Sequence, residues 1–269
     1  MRSFYLNKIR IGGIEPVLMG VLNISPESFY PGSFVPLSSL RETAAEMIDD
    51  GALILDIGAR STAPGSTPIS IQDEIDRIKT ALSELEGLGF TVSIDTMHPE
   101  VLRTALRFDI DMVNDISGLS NPSMASITAD AGLPAILMAA KKTPGDAVSF
   151  TDTINLLKLV LCRAEDARIS DVILDPGVGR WIPERTAEND WEICRRFEEL
   201  ALFERPLLAA VSRKSFIGDA TRRTPDERLA GTLAVTHELI RKGALVIRTH
   251  DIRETQDIIK VNRLFQEKK

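Results

Sequence analysis

Eight short runs rich in Val, Ile and Leu recur along the chain with amphipathic stretches between them. They are Val17–Asn23, Leu53–Asp56, Thr91–Asp95, Met112–Asp115, Ala135–Met138, Val172–Asp175, Leu207–Val211 and Leu245–Arg248. Near-continuous apolar runs of this length read as strands buried on both faces, the state of strands in a parallel sheet covered by helices. The stretches between them carry the helical period: Ile71, Ile75 and Ile78 lie at i, i+4 and i+7. Pro99 and Pro122 stand where a first turn tolerates proline, and Thr224-Pro225-Asp226-Glu227 puts acid into another first turn. Eight strand–helix pairs in 269 residues predict one α/β domain over residues 1–269, a closed (β/α)8 TIM barrel, with a doubly wound open sheet as the alternative. Residues 1–16 lie outside this pattern. There the stretch from Phe4 to Ile14, with a turn at Gly12-Gly13, reads as a hairpin capping the barrel bottom.

Several function classes are disfavoured at this stage. No apolar run approaches the ~20 residues of a membrane span, and the N-terminus has no sustained apolar segment of the kind a secretory leader carries. A soluble, cytoplasmic protein is the expectation. The formal charge of −7 argues against a nucleic-acid surface, so an anionic ligand must be met by local positive charge. Cys162 and Cys194 stand alone in helical patterns, without the spacing of a zinc site, and read as buried structural thiols.

The strand ends are where the polar chemistry collects. Asn23, Asp56, Asp95, Asn114 with Asp115, Asp175, Ser212-Arg213-Lys214 and Arg248-Thr249-His250 all fall at or just past the C-terminal end of an apolar run. Barrel enzymes build their active sites at that end, because the loops there converge on one mouth. Asp95, Asn114 and Asp175 suit a heterocycle with several N–H donors along one edge, since a carboxylate accepts two parallel hydrogen bonds. Arg213, Lys214, Arg248 and His250 come from the last two strands, a frequent phosphate site in this fold. The combination points to a nitrogen-rich ring carrying an anionic leaving group.

At these residues the chain resembles the dihydropteroate synthase family. The resembling segments are Met19-Gly20-Val21-Leu22-Asn23-Ile24-Ser25-Pro26-Glu27-Ser28-Phe29, Leu55-Asp56-Ile57-Gly58 through Ser61-Thr62 and Pro64-Gly65, and Ser93-Ile94-Asp95-Thr96. Asn114-Asp115, Leu174-Asp175-Pro176-Gly177, Ser212-Arg213-Lys214-Ser215, Arg228-Leu229-Ala230-Gly231 and Arg248-Thr249-His250-Asp251 continue in the same order.

The resemblance implies a transferase that joins a dihydropterin methyl diphosphate to para-aminobenzoate, releasing pyrophosphate, with Mg2+ as cofactor. It implies small-molecule substrates and a homodimer, for which the apolar faces of the last helices are candidates. By position, Asp95, Asn114, Met138, Asp175 and Lys214 would hold the pterin, and Asn23, Arg248, His250 and Arg60 the diphosphate. Asn23 would also touch the metal. Ser61, Thr62, Pro64, Arg180, Trp181 and Ser215 would hold the arylamine acceptor. Lys214, Asp95, Arg248 and His250 would carry catalysis, by stabilising separating charges rather than by a protein nucleophile.

This sequence departs from the family's pattern around the acceptor. Ala59-Arg60-Ser61-Thr62-Ala63-Pro64 stands where the family reads Gly-Glu-Ser-Thr-Arg-Pro, and Tyr30-Pro31-Gly32-Ser33 where it reads Ser-Asp-Gly-Gly. Leu137-Met138-Ala139-Ala140 lacks a usual histidine, and Arg180-Trp181-Ile182 replaces Phe-Gly-Lys. Arg60 reads equally as a substitute anion ligand and as a rim ion-pair partner. An acceptor with an extra anionic group, such as a phosphorylated ribosyl-aminobenzene of the methanopterin pathway, is one alternative these changes leave open. A pterin-dependent methyltransferase and a non-catalytic pterin-binding protein are the others.

Overall fold

Strands that bury both faces leave no open edge once the first pairs with the last, and the eight apolar runs do this. The computed structural model describes residues 2–27, 31–62 and 66–266; Ala63 and Pro64 lie outside that set. A small antiparallel hairpin comes first, β1 (Phe4–Leu6) and β2 (Ile9–Ile11). The barrel strands are β3 (Val17–Asn23), β4 (Ile54–Gly58), β5 (Val92–Asp95), β6 (Met112–Asp115), β7 (Ala135–Met138), β8 (Val172–Asp175), β9 (Leu207–Ala209) and β10 (Ala244–Thr249). All neighbours are parallel, and β10 closes the ring between β9 and β3. The result is a (β/α)8 barrel; the open-sheet alternative fails on the β10–β3 pairing.

The surrounding helices are α1 (Leu40–Asp49), α2 (Ile71–Leu85), α3 (Pro99–Ala105), α4 (Pro122–Asp130), α5 (Phe150–Asp166), α6 (Ala187–Arg195), α7 (Ser215–Thr221), α8 (Leu229–Arg241) and α9 (Ile252–Gln266). Pro99 and Pro122 do open helices, where a missing N–H costs nothing. Ser70 with Asp73, and Ser149 with Asp152, close reciprocal capping boxes on α2 and α5. The Thr224 segment caps a single 3-10 turn, Pro225–Glu227, and α8 begins only at Leu229. No helix among the described residues is long and apolar enough to cross a membrane.

Two details differ from the sequence expectations. The hairpin turns at Asn7-Lys8 rather than at Gly12-Gly13; Asn7 takes a left-handed φ of 53° that an Asn side chain tolerates. The Asn7 amide also donates to Asp111 Oδ1 at 2.9 Å and Thr91 Oγ1 at 3.2 Å, which pins the hairpin beneath the starts of β5 and β6. Cys194 is buried, but Cys162 is exposed, on the outward face of α5.

Inside the barrel the residues stack in layers, because side chains alternate across a strand. Met19, Ile54, Met112, Ile136, Ile173, Leu208 and Val246 form an apolar floor, with Leu6 and Ile11 of the hairpin below. Burying each such side chain stabilises the fold by roughly 1.5–3 kcal/mol. Leu55, Ile57, Val113, Leu137, Leu174 and Ile247 point the other way, into the layer under the helices.

Candidate active site

The same alternation decides which polar residues reach the interior. Two positions beyond a floor residue comes the next inward side chain, so Ile54 is followed by Asp56, Met112 by Asn114, Ile173 by Asp175 and Val246 by Arg248. Of these, Asn114, Asp175 and Arg248, with Asn23, Asp95, Ser212, Lys214 and His250, line a cavity of about 380 Å³ at the C-terminal mouth, whereas Asp56 is wholly buried and does not reach it. Met138 follows Ile136 on the inner face of β7, fully buried against the position of Gly177 rather than in the cavity wall.

Four of these groups form one network. Arg248 Nε lies 2.6 Å from Asp56 Oδ2, and its Nη2 lies 2.8 Å from Asp95 Oδ2. Asn114 Nδ2 donates to the same Asp56 oxygen at 3.0 Å. Asp56 is wholly buried, so its charge depends on these two donors. Burial pushes the Asp95 carboxyl up to about 7; Arg248 pulls it down, while the Asp56, Glu74 and Asp115 carboxylates push it further up. Burial also acts against the charge of Arg248, but Asp56 and Asp95 outweigh it and hold its proton more tightly than usual. In the sequence Asp56 is marked only by its place after an apolar run and within Leu55-Asp56-Ile57-Gly58, neither of which assigns it a role.

Across the cavity, Asp175 accepts the Gly177 N–H at 2.7 Å, and burial raises its pKa against the pull of Lys214. Lys214 donates to the Val178 carbonyl, and its ammonium sits 5.3 Å from the centre of the Trp181 ring. Burial lowers its pKa to about 8, with Asp175 opposing. Trp181 donates from its indole to Gly177 O at 2.9 Å and lines the mouth beside the exposed Arg180.

The polar groups of the last two strands divide between cavity wall and scaffold. His250 Nδ1 lies 2.9 Å from Ser212 Oγ, and burial, with Arg248 nearby, lowers its pKa to about 4. At neutral pH it is an uncharged imidazole. Arg213 is turned away: it pairs with Asp251 at 2.5 Å and 3.0 Å, and donates to the carbonyls of Pro225 and Asp226. Its backbone is left-handed, φ 56°, and is held by Thr232 Oγ1 and by Arg228, which donates to its carbonyl at 2.9 Å. Ser215 opens α7 on the cavity wall.

On the β4 side, Ser61, Thr62 and Arg60 reach the cavity wall. Arg60 pairs with the buried Glu74 at 2.6 Å. Asn23 donates to Ser33 Oγ at 3.1 Å, and its Oδ1 accepts the Ser25 N–H at 3.1 Å. A carbonyl oxygen has a second lone pair, so Asn23 offers one hard oxygen ligand. Among the described residues, no three His, Cys, Asp or Glu side chains converge as a metal site. This donor set fits an ion that keeps waters and phosphate oxygens, as Mg2+ does, and not one needing a protein cage.

Comparison with known proteins agrees with this geometry. The family described as pterin binding enzyme matches residues 19–250. The dihydropteroate synthase of Escherichia coli K12 is 33% identical over 258 residues, spanning 92% of this chain and 90% of the relative. That of Synechocystis sp. is 36% identical over 262 residues, spanning 93% and 90%. The structure of Coxiella burnetii dihydropteroate synthase in complex with pteroic acid matches with a TM-score of 0.86 at 30% identity, covering 98% of each chain. The Yersinia pestis enzyme in a sulfonamide drug complex matches with a TM-score of 0.90 at 28% identity, covering 100% of each.

Proposed function

The chain belongs to the pterin binding enzyme family as a relative of the dihydropteroate synthases, and on that premise we propose how its rim performs their condensation. It is a C–N bond-forming transferase: the bond between a dihydropterin methylene and its diphosphate breaks, the electron pair leaves with pyrophosphate, and the nitrogen of para-aminobenzoate attacks and loses a proton. The observation that carries this reading is the single polar layer of Asp95, Asn114, Asp175 and Lys214 around one cavity, above an apolar floor.

Asp95 and Asp175 accept N–H groups of the pterin, Asn114 adds an amide, and Lys214 donates to a ring acceptor. Because the cavity is bounded by buried groups, these charge-assisted bonds are worth more than in water. Arg248 spends its Nε and one Nη2 hydrogen on Asp56 and Asp95, and three N–H donors remain for diphosphate oxygens. His250, neutral at pH 7, serves as a hydrogen-bonding group, so the cationic work on the leaving group falls to Arg248. Mg2+, held on the protein side by Asn23, would neutralise further diphosphate charge when bound. No protein nucleophile is needed, since charge separation can be stabilised by fixed donors.

The reading extends to a cytoplasmic homodimer; the exposed Val261, Leu264 and Phe265 on α9 supply apolar surface for an interface. One observation favours a second acceptor: Arg180 is exposed at the mouth and lines the cavity, so an arylamine bearing an added anionic group has a cation to meet. Purified protein with dihydropterin methyl diphosphate, Mg2+ and either amine decides between them. Pyrophosphate release with para-aminobenzoate is expected. Release only with the phosphorylated amine would move the assignment to that acceptor, and release with neither would overturn the reaction.

A further inference from the structure

A carboxylate one turn into a helix belongs in solvent, yet the Glu74 side chain on α2 is only 1% exposed. Three donors compensate it: Arg60 Nε at 2.6 Å, Thr96 Oγ1 at 2.7 Å and His98 Nδ1 at 3.0 Å. Burial pulls the other way, but these partners hold Glu74 below its ordinary pKa and keep it an anion.

Arg60 uses its remaining nitrogens on the backbone. Its Nη1 donates to Ile69 O at 2.8 Å and its Nη2 to Ser70 O at 3.2 Å. One side chain thus ties residue 60, just past β4, to residues 69 and 70, just before α2. Ser61 Oγ and Ser66 Oγ, 2.6 Å apart, add a second tie between the same ends. One turn further along α2, Arg77 donates to Ala59 O at 3.1 Å and to Glu27 Oε1 at 2.7 Å, so the end of β4 is held from two sides. Ser61 and Thr62 follow directly and line the cavity. All three Arg60 nitrogens are thus tied to the protein, to Glu74 and to the carbonyls of Ile69 and Ser70, which makes the guanidinium a brace between the two ends of this segment.

We propose that Arg60, anchored by Glu74, is a positioning residue that fixes Ser61 and Thr62 in the acceptor wall and so sets the affinity for the arylamine rather than for the pterin diphosphate. This rests on the reaction given above and adds to it a residue acting through its neighbours.

Steady-state kinetics with each substrate varied, on the wild type, Arg60→Ala and Arg60→Lys, tests it alongside hydrogen exchange of residues 59–62. Arg60→Ala raises the KM for the arylamine about ten-fold, while kcat and the KM for the pterin diphosphate stay within about two-fold. Arg60→Lys, which can pair with Glu74 but cannot also reach both carbonyls, recovers part of the loss. Exchange at residues 59–62 quickens in Arg60→Ala. A selective rise in the pterin diphosphate KM would make Arg60 a direct anion ligand and overturn the proposal. So would a lowered melting temperature with both KM values unchanged. A wild type without turnover would refute the reaction itself; the exchange comparison then decides, and unchanged protection of residues 59–62 in Arg60→Ala overturns the positioning role of Arg60.

Discussion

Arg248 Nη2 lies 2.8 Å from Asp95 Oδ2, although the two residues are 153 positions apart and sit three strands apart around the barrel. Only closure of the ring brings them together, so the fold and the chemistry share this contact. The same guanidinium neutralises Asp56, which is wholly buried.

Arg248→Ala therefore leaves a buried carboxylate with Asn114 as its remaining donor. Removing one member of such a pair costs about 3 kcal/mol, read as a lower urea midpoint. Arg248→Lys restores only part of it, since an ammonium cannot span Asp56 and Asp95 together. An unchanged midpoint in Arg248→Ala would show that Asp56 does not depend on this cation.

Lys214 has the opposite balance. Its ammonium lies 5.3 Å from the centre of the Trp181 ring on the cavity wall, and Lys214→Met keeps most of the apolar stem while removing the charge. Turnover falls by at least about 100-fold, with little change in melting temperature. Asp175 also loses the cation that opposes its upward shift and holds a proton more readily. A large melting loss with preserved kcat/KM would assign Lys214 to scaffold.

Gly145 tests the acceptor wall without touching a polar group. Its φ is +69°, and a Cβ there would lie 2.0 Å from Trp181 Cβ, too close for either residue to stay in place. Gly145→Ala costs about 1 kcal/mol for the left-handed backbone alone. The larger effect is displacement of Trp181, seen as a shift in tryptophan fluorescence and a raised arylamine KM. Wild-type fluorescence in the variant would place the close contact elsewhere.

Two half-buried groups on the cavity wall give stability opposite pH dependences. Asp95 is raised from 3.8 to about 7, so its contribution is full below pH 3.8 and is lost as pH rises through 7. His250 is lowered from 6.5 to about 4, so its contribution is present above pH 6.5 and is lost as pH falls towards 4. Relative to the wild type, Asp95→Asn gains stability as pH rises from 4 to 7, and His250→Gln gains as pH falls from 6.5 to 4. Urea midpoints across pH 4–8 check both signs; curves parallel to the wild type would contradict them.

Much of this was legible from the residues because a parallel strand announces itself twice, by its apolar run and by the polar residue that ends it. Asp95, Asn114, Asp175 and Arg248 were found that way. Asp56 ends an apolar run of the sequence but lies inside β4, and its place in the network comes from contacts with Asn114 and Arg248 that linear spacing does not encode. Glu74 was invisible for a related reason: on α2 it reads as a solvated charge, and only the convergence of Arg60, Thr96 and His98 explains its burial. Paired glycines at Gly12-Gly13 are the stronger general turn signal, whereas the turn at Asn7 is fixed by hydrogen bonds to Thr91 and Asp111 more than eighty residues away. Met138 sits on the inner face as alternation requires, but against the site of Gly177.

The central claim is that the carboxylate side of the rim holds a pterin. Calorimetric titration of a dihydropterin into the wild type and Asp95→Ala, at pH 8 where the wild-type carboxyl is ionised, tests it most directly. The wild type should bind one equivalent, and Asp95→Ala should bind at least about 50-fold more weakly, the worth of a paired charge-assisted hydrogen bond. Equal affinity in the two proteins, or no binding by the wild type, would contradict it.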